Sequence, residues 1–264
     1  MWKKTALLIC DLQKRVLPHI KNNDRVIKNT QTLLDANTEY KRIQNNIGDT
    51  VTPSKKILGK DLVFVAPIPI PIPIPIIVAE LIPEKLGKTP PSIMDRVKQG
   101  EKSLFYIEKG FYSVYSKNLA QTLRAKDVNE IVITGVQTEW CITKTALDFK
   151  KAGFNVLIPD DAVGSTDDSE HIKALKRLAL KDIKIVTTHS FIVDNLTHVD
   201  DPMSKWYLNY KREKENEKEM ADSPEIQRID KVKKDKDELN MKKLYRDLDD
   251  IYGDIRSISY KKDD

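Results

Sequence analysis

Between Lys3 and about Leu196, short apolar runs alternate with segments whose apolar positions recur at helical spacing. The strand-length runs are 5–10, 76–80, 103–108, 131–135, 155–159 and 183–188. Between them, Leu119, Ala120 and Leu123 share one helical face, as do Ile172, Leu175, Leu178 and Ala179. Continuous apolar runs suit strands covered on both faces, and their alternation with amphipathic helices predicts βαβ units. The expected fold is therefore α/β, a doubly wound three-layer α/β/α arrangement around a mainly parallel sheet.

Two stretches break this rhythm. From about 37 to 75 the chain is first polar (Asn45-Asn-Ile-Gly-Asp49) and then alternates Pro with Ile from Pro67 to Pro75. Proline at every second position removes ladder donors and excludes a central strand. An extended, polyproline-like insertion ahead of the strand at 76 is expected. A docking segment for an aromatic-lined groove is the competing reading, although no PxxP spacing with basic flanks supports it. After about Asp201 the chain is dense in Lys, Glu and Asp, as in Lys211-Arg-Glu-Lys-Glu-Asn-Glu-Lys218. Such a segment buries little and reads as disorder or solvated helix. Leu239, Met241, Leu244, Leu248 and Ile251 form one weak apolar face within it. The domain reading is thus 1–200 for the α/β domain, with the insertion inside it, and 201–264 for a charged tail.

Composition adds limits. Forty-five basic and forty acidic residues leave a formal charge of +5, with both signs interspersed, so nucleic acid is not the expected partner. No apolar stretch reaches the roughly 18 residues of a membrane span. Two cysteines, Cys10 and Cys141, build no disulfide framework and suit a reducing compartment. A cytoplasmic enzyme is expected, with the mitochondrion as the other compartment.

In open parallel sheets, ligands bind beyond the carboxyl ends of the strands. Asp11 directly follows the first strand, Lys109 the third, and Cys141 lies a few residues past the run at 131–135, where a helical stretch opens. A thiol at a helix start, beside a lysine, is expected to have a lowered pKa. Asp11 would serve as its general base, and backbone N–H groups around Trp140 and Cys141 as oxyanion donors. Each residue alone has a plainer reading: a core thiol, a turn cap, a surface charge. Cys10, inside the first strand, reads as a core thiol.

The motifs around these positions point to one family. Ile133-Thr-Gly-Val-Gln-Thr-Glu-Trp-Cys-Ile-Thr-Lys-Thr-Ala-Leu-Asp148 is similar to the nucleophile segment of the isochorismatase-like cysteine hydrolases. Gly153-Phe-Asn-Val-Leu-Ile-Pro-Asp-Asp-Ala-Val-Gly-Ser165 resembles that family's next strand and D-A-x-x-S loop, and Cys10-Asp-Leu-Gln13 its opening D-x-Q motif. Glu108-Lys-Gly-Phe-Tyr-Ser113 resembles its K-x-x-[FY]-S segment. The likeness covers about 5–35 and 76–197 and is nearest to the eukaryotic isochorismatase-domain-containing branch, in which Ile82-Pro-Glu-Lys-Leu-Gly87 also finds a counterpart.

The resemblance implies a catalytic triad of Asp11, Lys109 and Cys141 and a cis peptide near Val136-Gln137. Gln13, Phe111, Tyr112, Val136, Gln137 and Trp140 become candidates for substrate binding or the oxyanion site. It implies hydrolysis of a small amide or related acyl compound, and a homo-oligomer. The alternative is a catalytically silent binding or scaffold protein acting through its insertion and tail. Metal-binding nicotinamidases of the superfamily carry Asp and His ligands after strand two. Here Val78-Ala-Glu-Leu-Ile-Pro-Glu-Lys-Leu-Gly87 has no His, and His19, His171, His189 and His198 lack ligand spacing. Neither metal nor other cofactor is expected.

Overall fold

The computed structural model describes residues 4–47, 74–100, 104–196 and 201–221. In chain order the elements are β1 (Thr5–Cys10), α1 (Asn23–Ile47), β2 (Ile76–Leu81), α2 (Pro83–Leu86), α3 (Pro91–Gln99), β3 (Leu104–Lys109) and α4 (Lys117–Ala125). They continue as β4 (Glu130–Val136), a five-residue π turn (Thr138–Ile142), α5 (Thr143–Lys151), β5 (Asn155–Pro159), β6 (Val163–Gly164) and α6 (Asp168–Ala179). β7 (Lys184–Val186), α7 (Thr188–Val193) and α8 (Pro202–Ala221) complete the order. The chain divides into two compact units, 1–206 and 207–264, and the second is described only through the helix that ends at Ala221.

Seven parallel strands form one sheet in the order β3-β2-β1-β4-β5-β7, with the short β6 pairing to β4. Helices flank it, α1 packing with α3 and α7, and α5 with α6, so the expected α/β fold is what the chain adopts. The physical reason lies in the central strands: all six residues of β1 and of β2 are buried, as are Ile131 through Val136 of β4. A strand apolar on both faces needs helices on both sides of the sheet. The direction of winding reverses between β1 and β4, and the crevice that opens there is where such folds place ligands.

The boundaries depart from the sequence reading in instructive ways. Helix α1 runs on to Ile47, ten residues into the stretch expected to break the rhythm from about Asn37. Tyr40 and Ile43 are buried on it, and the buried Asn37 accepts a hydrogen bond from the Ile74 N–H at 2.8 Å. Pro75 then passes its carbonyl to the Leu7 N–H, which returns the chain to the sheet. The rest of the Pro-Ile run, like the apolar positions from Leu239 onward, lies outside the described residues. On α6 the buried positions are Ala174 and Leu178, whereas Ile172 is exposed. At the start of α8, Met203 and Ser204 are buried.

One contact sets the spacing of the two central strands. Cys10 of β1 pairs with Gly135 of β4, whose φ is +116°. A Cβ placed there would stand 1.9 Å from the Cys10 carbonyl oxygen. Only glycine combines that conformation with that approach. Gly135→Ala is therefore expected to destabilise the domain by about 3 kcal/mol or more, read as a lower denaturation midpoint. Gly110→Ala, where an added Cβ meets nothing within 4 Å, serves as the comparison.

Candidate active site

Three strand ends bring Asp11, Lys109 and Cys141 together. Lys109 is the last residue of β3, one position earlier relative to the strand than the sequence suggested. β3 lies two strands from β1, about 10 Å at the usual strand spacing, a gap that the lysine stem crosses toward Asp11. The ammonium donates to Asp11 Oδ2 at 2.7 Å, to the Tyr112 carbonyl at 3.3 Å and to Cys141 Sγ at 3.6 Å. The pair is almost closed to solvent, with 5% of the Lys109 side chain and 4% of that of Asp11 exposed.

Local backbone makes this possible. Consecutive strand residues point to opposite faces, yet Asp11 has φ +55°. That left-handed conformation is uncommon outside glycine but several-fold enriched for Asp. It turns the Asp11 carboxylate back, so that Cys10 Sγ donates to its Oδ2 at 3.5 Å. The Asp11 N–H is held by the Ala79 carbonyl at 2.9 Å. Oδ2 thus receives Lys109 and Cys10, while Oδ1 is buried with no hydrogen-bond partner. An unpaired buried carboxylate oxygen is costly, and here it is an acceptor left open.

Cys141 sits in the π turn after β4, ahead of α5 rather than in its first turn, and is buried. The Val136–Gln137 peptide that leads into the turn is cis. Thr138 Oγ1 donates to the Gly164 carbonyl at 2.9 Å, so at 2.9 Å from His171 Nδ1 it is the acceptor, which assigns the proton to Nδ1. Burial lowers the pKa of His171, with Arg25 adding to the effect, so the ring is neutral. Thr143 closes the other side of the turn by donating to the Thr138 carbonyl at 2.6 Å.

The electrostatics correct one expectation. Burial works against the Lys109 charge, but Cys10, Asp11 and Cys141 beside it outweigh this and hold its pKa well above the ordinary value. The Cys141 thiol is also pushed up, first by its hydrogen bond with Cys10, then by burial and by the Asp11 charge, with Lys109 only partly offsetting them. A lowered thiol pKa was expected from a helix start beside a lysine. The hydrogen bond, burial and the carboxylate together outweigh the Lys109 charge, so the thiol holds its proton more tightly than a free one does.

The remaining candidates divide. Tyr112 and Trp140 stack with ring centroids 5.6 Å apart, and Trp140, next to Cys141 in sequence, is 41% exposed. Phe111 is 62% exposed. Val136 is fully buried, and Gln137 is half-buried at the turn. Gln13 is buried with its amide engaged on backbone: it donates to the Leu81 and Gly87 carbonyls at 3.0 and 2.6 Å and accepts from the Leu81 N–H at 2.9 Å. Its place is to hold the segment after β2. The Trp140 N–H is taken by the Gln137 carbonyl at 3.2 Å, which removes one of the two oxyanion donors expected there.

Two residues at the site were not singled out from sequence. Cys10 was read as core, although its position directly before Asp11 was the available signal. Glu139, on the π turn, has its carboxyl pKa raised by burial, against the Ser165 hydroxyl, and its Oε2 is buried without a partner. Nothing in periodicity would have marked it. Among the described residues no group of His, Cys, Asp or Glu is arranged to hold a metal ion, and no helix is long and apolar enough to cross a membrane.

Comparison with known proteins matches residues 5–190 to the isochorismatase domain family. Isochorismatase family protein 2A of Dictyostelium discoideum is 25% identical over 206 residues, 77% of this chain and 88% of that one. Isochorismatase domain-containing protein 1 of Danio rerio is 29% identical over 205 residues, 78% of this chain and 60% of that one. Among solved structures, the MAR1 ribonuclease of Caenorhabditis elegans is similar with a TM-score of 0.60 at 24% identity, covering 79% of this chain and 89% of that one. YcaC of Escherichia coli, described as an octameric hydrolase of unknown specificity, gives 0.51 at 18% identity, covering 70% and 76%. At these identities the structural likeness bears on the fold.

The raised thiol predicts a pH profile. A thiol that keeps its proton in the fold contributes stability below the ordinary value of about 8.5, and that contribution is lost as pH rises through the folded value. Alkylation of native Cys141 by iodoacetamide, followed by mass spectrometry, should inflect above that ordinary value. Asp11→Asn should move the inflection down by removing a negative neighbour, and Lys109→Met should move it up.

Proposed function

The chain belongs to the isochorismatase family, and on that premise we propose that it hydrolyses a small amide or related acyl compound with Cys141 as nucleophile. The observation that carries this reading is the contact set of Lys109, which touches both Asp11 Oδ2 and Cys141 Sγ while Asp11 Oδ1 stays unpaired. A protonated thiol needs a base, and the site offers one at Oδ1.

The reaction runs in two halves. Asp11 Oδ1 takes the Cys141 proton as the sulfur attacks the carbonyl carbon, forming the C–S bond and a tetrahedral oxyanion. The Cys141 N–H serves that oxyanion. The C–N bond then breaks as Asp11 returns the proton to the departing nitrogen, leaving a thioester. Asp11 next deprotonates a water, which attacks the thioester; the C–S bond breaks and the thiol takes the proton back. Lys109 keeps Asp11 anionic between steps and steadies negative charge on sulfur. Burial of the reacting groups favours a small acyl group, with the Tyr112 and Trp140 rings as its walls and Phe111 near the rim. A homo-oligomer completes the proposal, in line with the octamer described for YcaC of E. coli.

The test uses p-nitrophenyl acetate and a panel of small carboxamides, with acyl-enzyme mass measured after rapid acid quench. Cys141→Ala should lower turnover by about 10⁴-fold or more and abolish the acyl adduct. Asp11→Asn should cost about 10³-fold. Turnover of an amide unaffected by Cys141→Ala would overturn the mechanism. Absence of any acyl adduct across the panel would favour the binding or scaffold reading.

A further inference from the structure

The chain has two cysteines in 264 residues, and the fold brings both to one place. Cys10 closes β1 and Cys141 lies on the turn after β4, the neighbouring strand in the register Cys10 to Gly135. Cys10 Sγ reaches Asp11 Oδ2 at 3.5 Å; Lys109, 2.7 Å from that same oxygen, reaches Cys141 Sγ at 3.6 Å. Both sulfurs therefore lie against the one Asp11–Lys109 ion pair, and both residues are buried. Acyl transfer uses one thiol. A second is not needed for it, and an apolar residue would fill the end of a buried strand equally well.

We propose that Cys10 is a resolving thiol, and that hydrogen peroxide converts Cys10 and Cys141 into a reversible intramolecular disulfide. Cys141, its proton passed to Asp11, attacks one peroxide oxygen; the S–O bond forms, the O–O bond breaks, and the departing hydroxide takes the Asp11 proton to leave as water. The product is a sulfenic acid. Cys10 then gives its proton to Asp11 Oδ2, its hydrogen-bond partner, and attacks the sulfenyl sulfur. The S–S bond forms, the S–O bond breaks, and hydroxide leaves with that proton as a second water. Two thiols are oxidised and one peroxide is reduced to two waters. Because Cys141 rests protonated, the first step quickens as pH rises. The disulfide spares Cys141 from the sulfinic and sulfonic acids, which thiols do not reverse. This chemistry concerns the sulfur pair and is read by mass, so its failure is distinct from a failure of the hydrolase reading.

The experiment treats the native full-length chain with a moderate excess of hydrogen peroxide, blocks free thiols with iodoacetamide before denaturation, and maps peptides without reduction. The expected result is a cross-linked pair of peptides containing Cys10 and Cys141, an intact mass lower by two hydrogens, and full reversal by dithiothreitol. In Cys10→Ser, Cys141 should instead gain two or three oxygens that dithiothreitol does not remove; if that variant fails to fold, Cys10→Ala carries the same comparison. The proposal is overturned if wild-type Cys141 gains oxygens while Cys10 stays alkylatable. It is equally overturned if no disulfide forms at a dose that oxidises the cysteines of the denatured chain.

Discussion

A lysine ammonium taken out of water is tolerated only where an opposite charge and enough acceptors meet it, and the Lys109–Asp11 pair is organised around that requirement. Its ammonium has a carboxylate, a carbonyl and a sulfur as partners. The cost of burying the two charges is offset mainly by their attraction to each other, so loss of either partner leaves the other stranded. The pair also links β3, at one edge of the sheet, to the loops after β1 and β4. What makes the pair useful is its asymmetry: the lysine saturates one carboxylate oxygen and leaves the other open to protons.

The rest of the site is built to keep that asymmetry. The left-handed Asp11 aims the carboxylate, Thr138 and Thr143 tie the π turn on either side of Cys141, and the Thr145 hydroxyl accepts the Val114 N–H at 3.1 Å, fixing the loop that carries Phe111 and Tyr112 against α5. Gln13 holds the opposite rim, helped by the buried Glu80, which accepts from the Thr89 N–H at 2.7 Å and from the Tyr106 hydroxyl. The segment after β2 is therefore polar and well connected, whereas the loop after β3 and the π turn meet through the stacked Tyr112 and Trp140 rings.

The sheet was legible in the sequence because buried parallel strands are written as unbroken apolar runs, and each of the six expected strands is present to within two residues at either end. The helix α1 was harder to delimit: its last turns carry Asn, Gln and Lys, with Tyr40 and Ile43 as the buried apolar positions among the described residues there. Asp11, Lys109 and Cys141 could be placed because a strand's carboxyl end is a position that sequence reveals. The thiol's raised pKa could not, since it depends on Cys10, on burial and on the Asp11 charge beside it. Gln13 illustrates the same limit, because a polar residue in a motif does not disclose whether its amide faces a cavity or the backbone behind it.

Gly135 bears on how such a site diversifies. The distance between the strand that leads to Asp11 and the strand that leads to Cys141 is set by backbone meeting backbone, with no side chain interposed. Repacking of the hydrophobic layers on either face of the sheet leaves that distance alone. The loops that follow the strands are then free to change shape and chemistry over evolutionary time while the junction of the two strands keeps its spacing, so a lineage inheriting it can vary what surrounds Asp11 and Cys141 without moving the strands that lead to them.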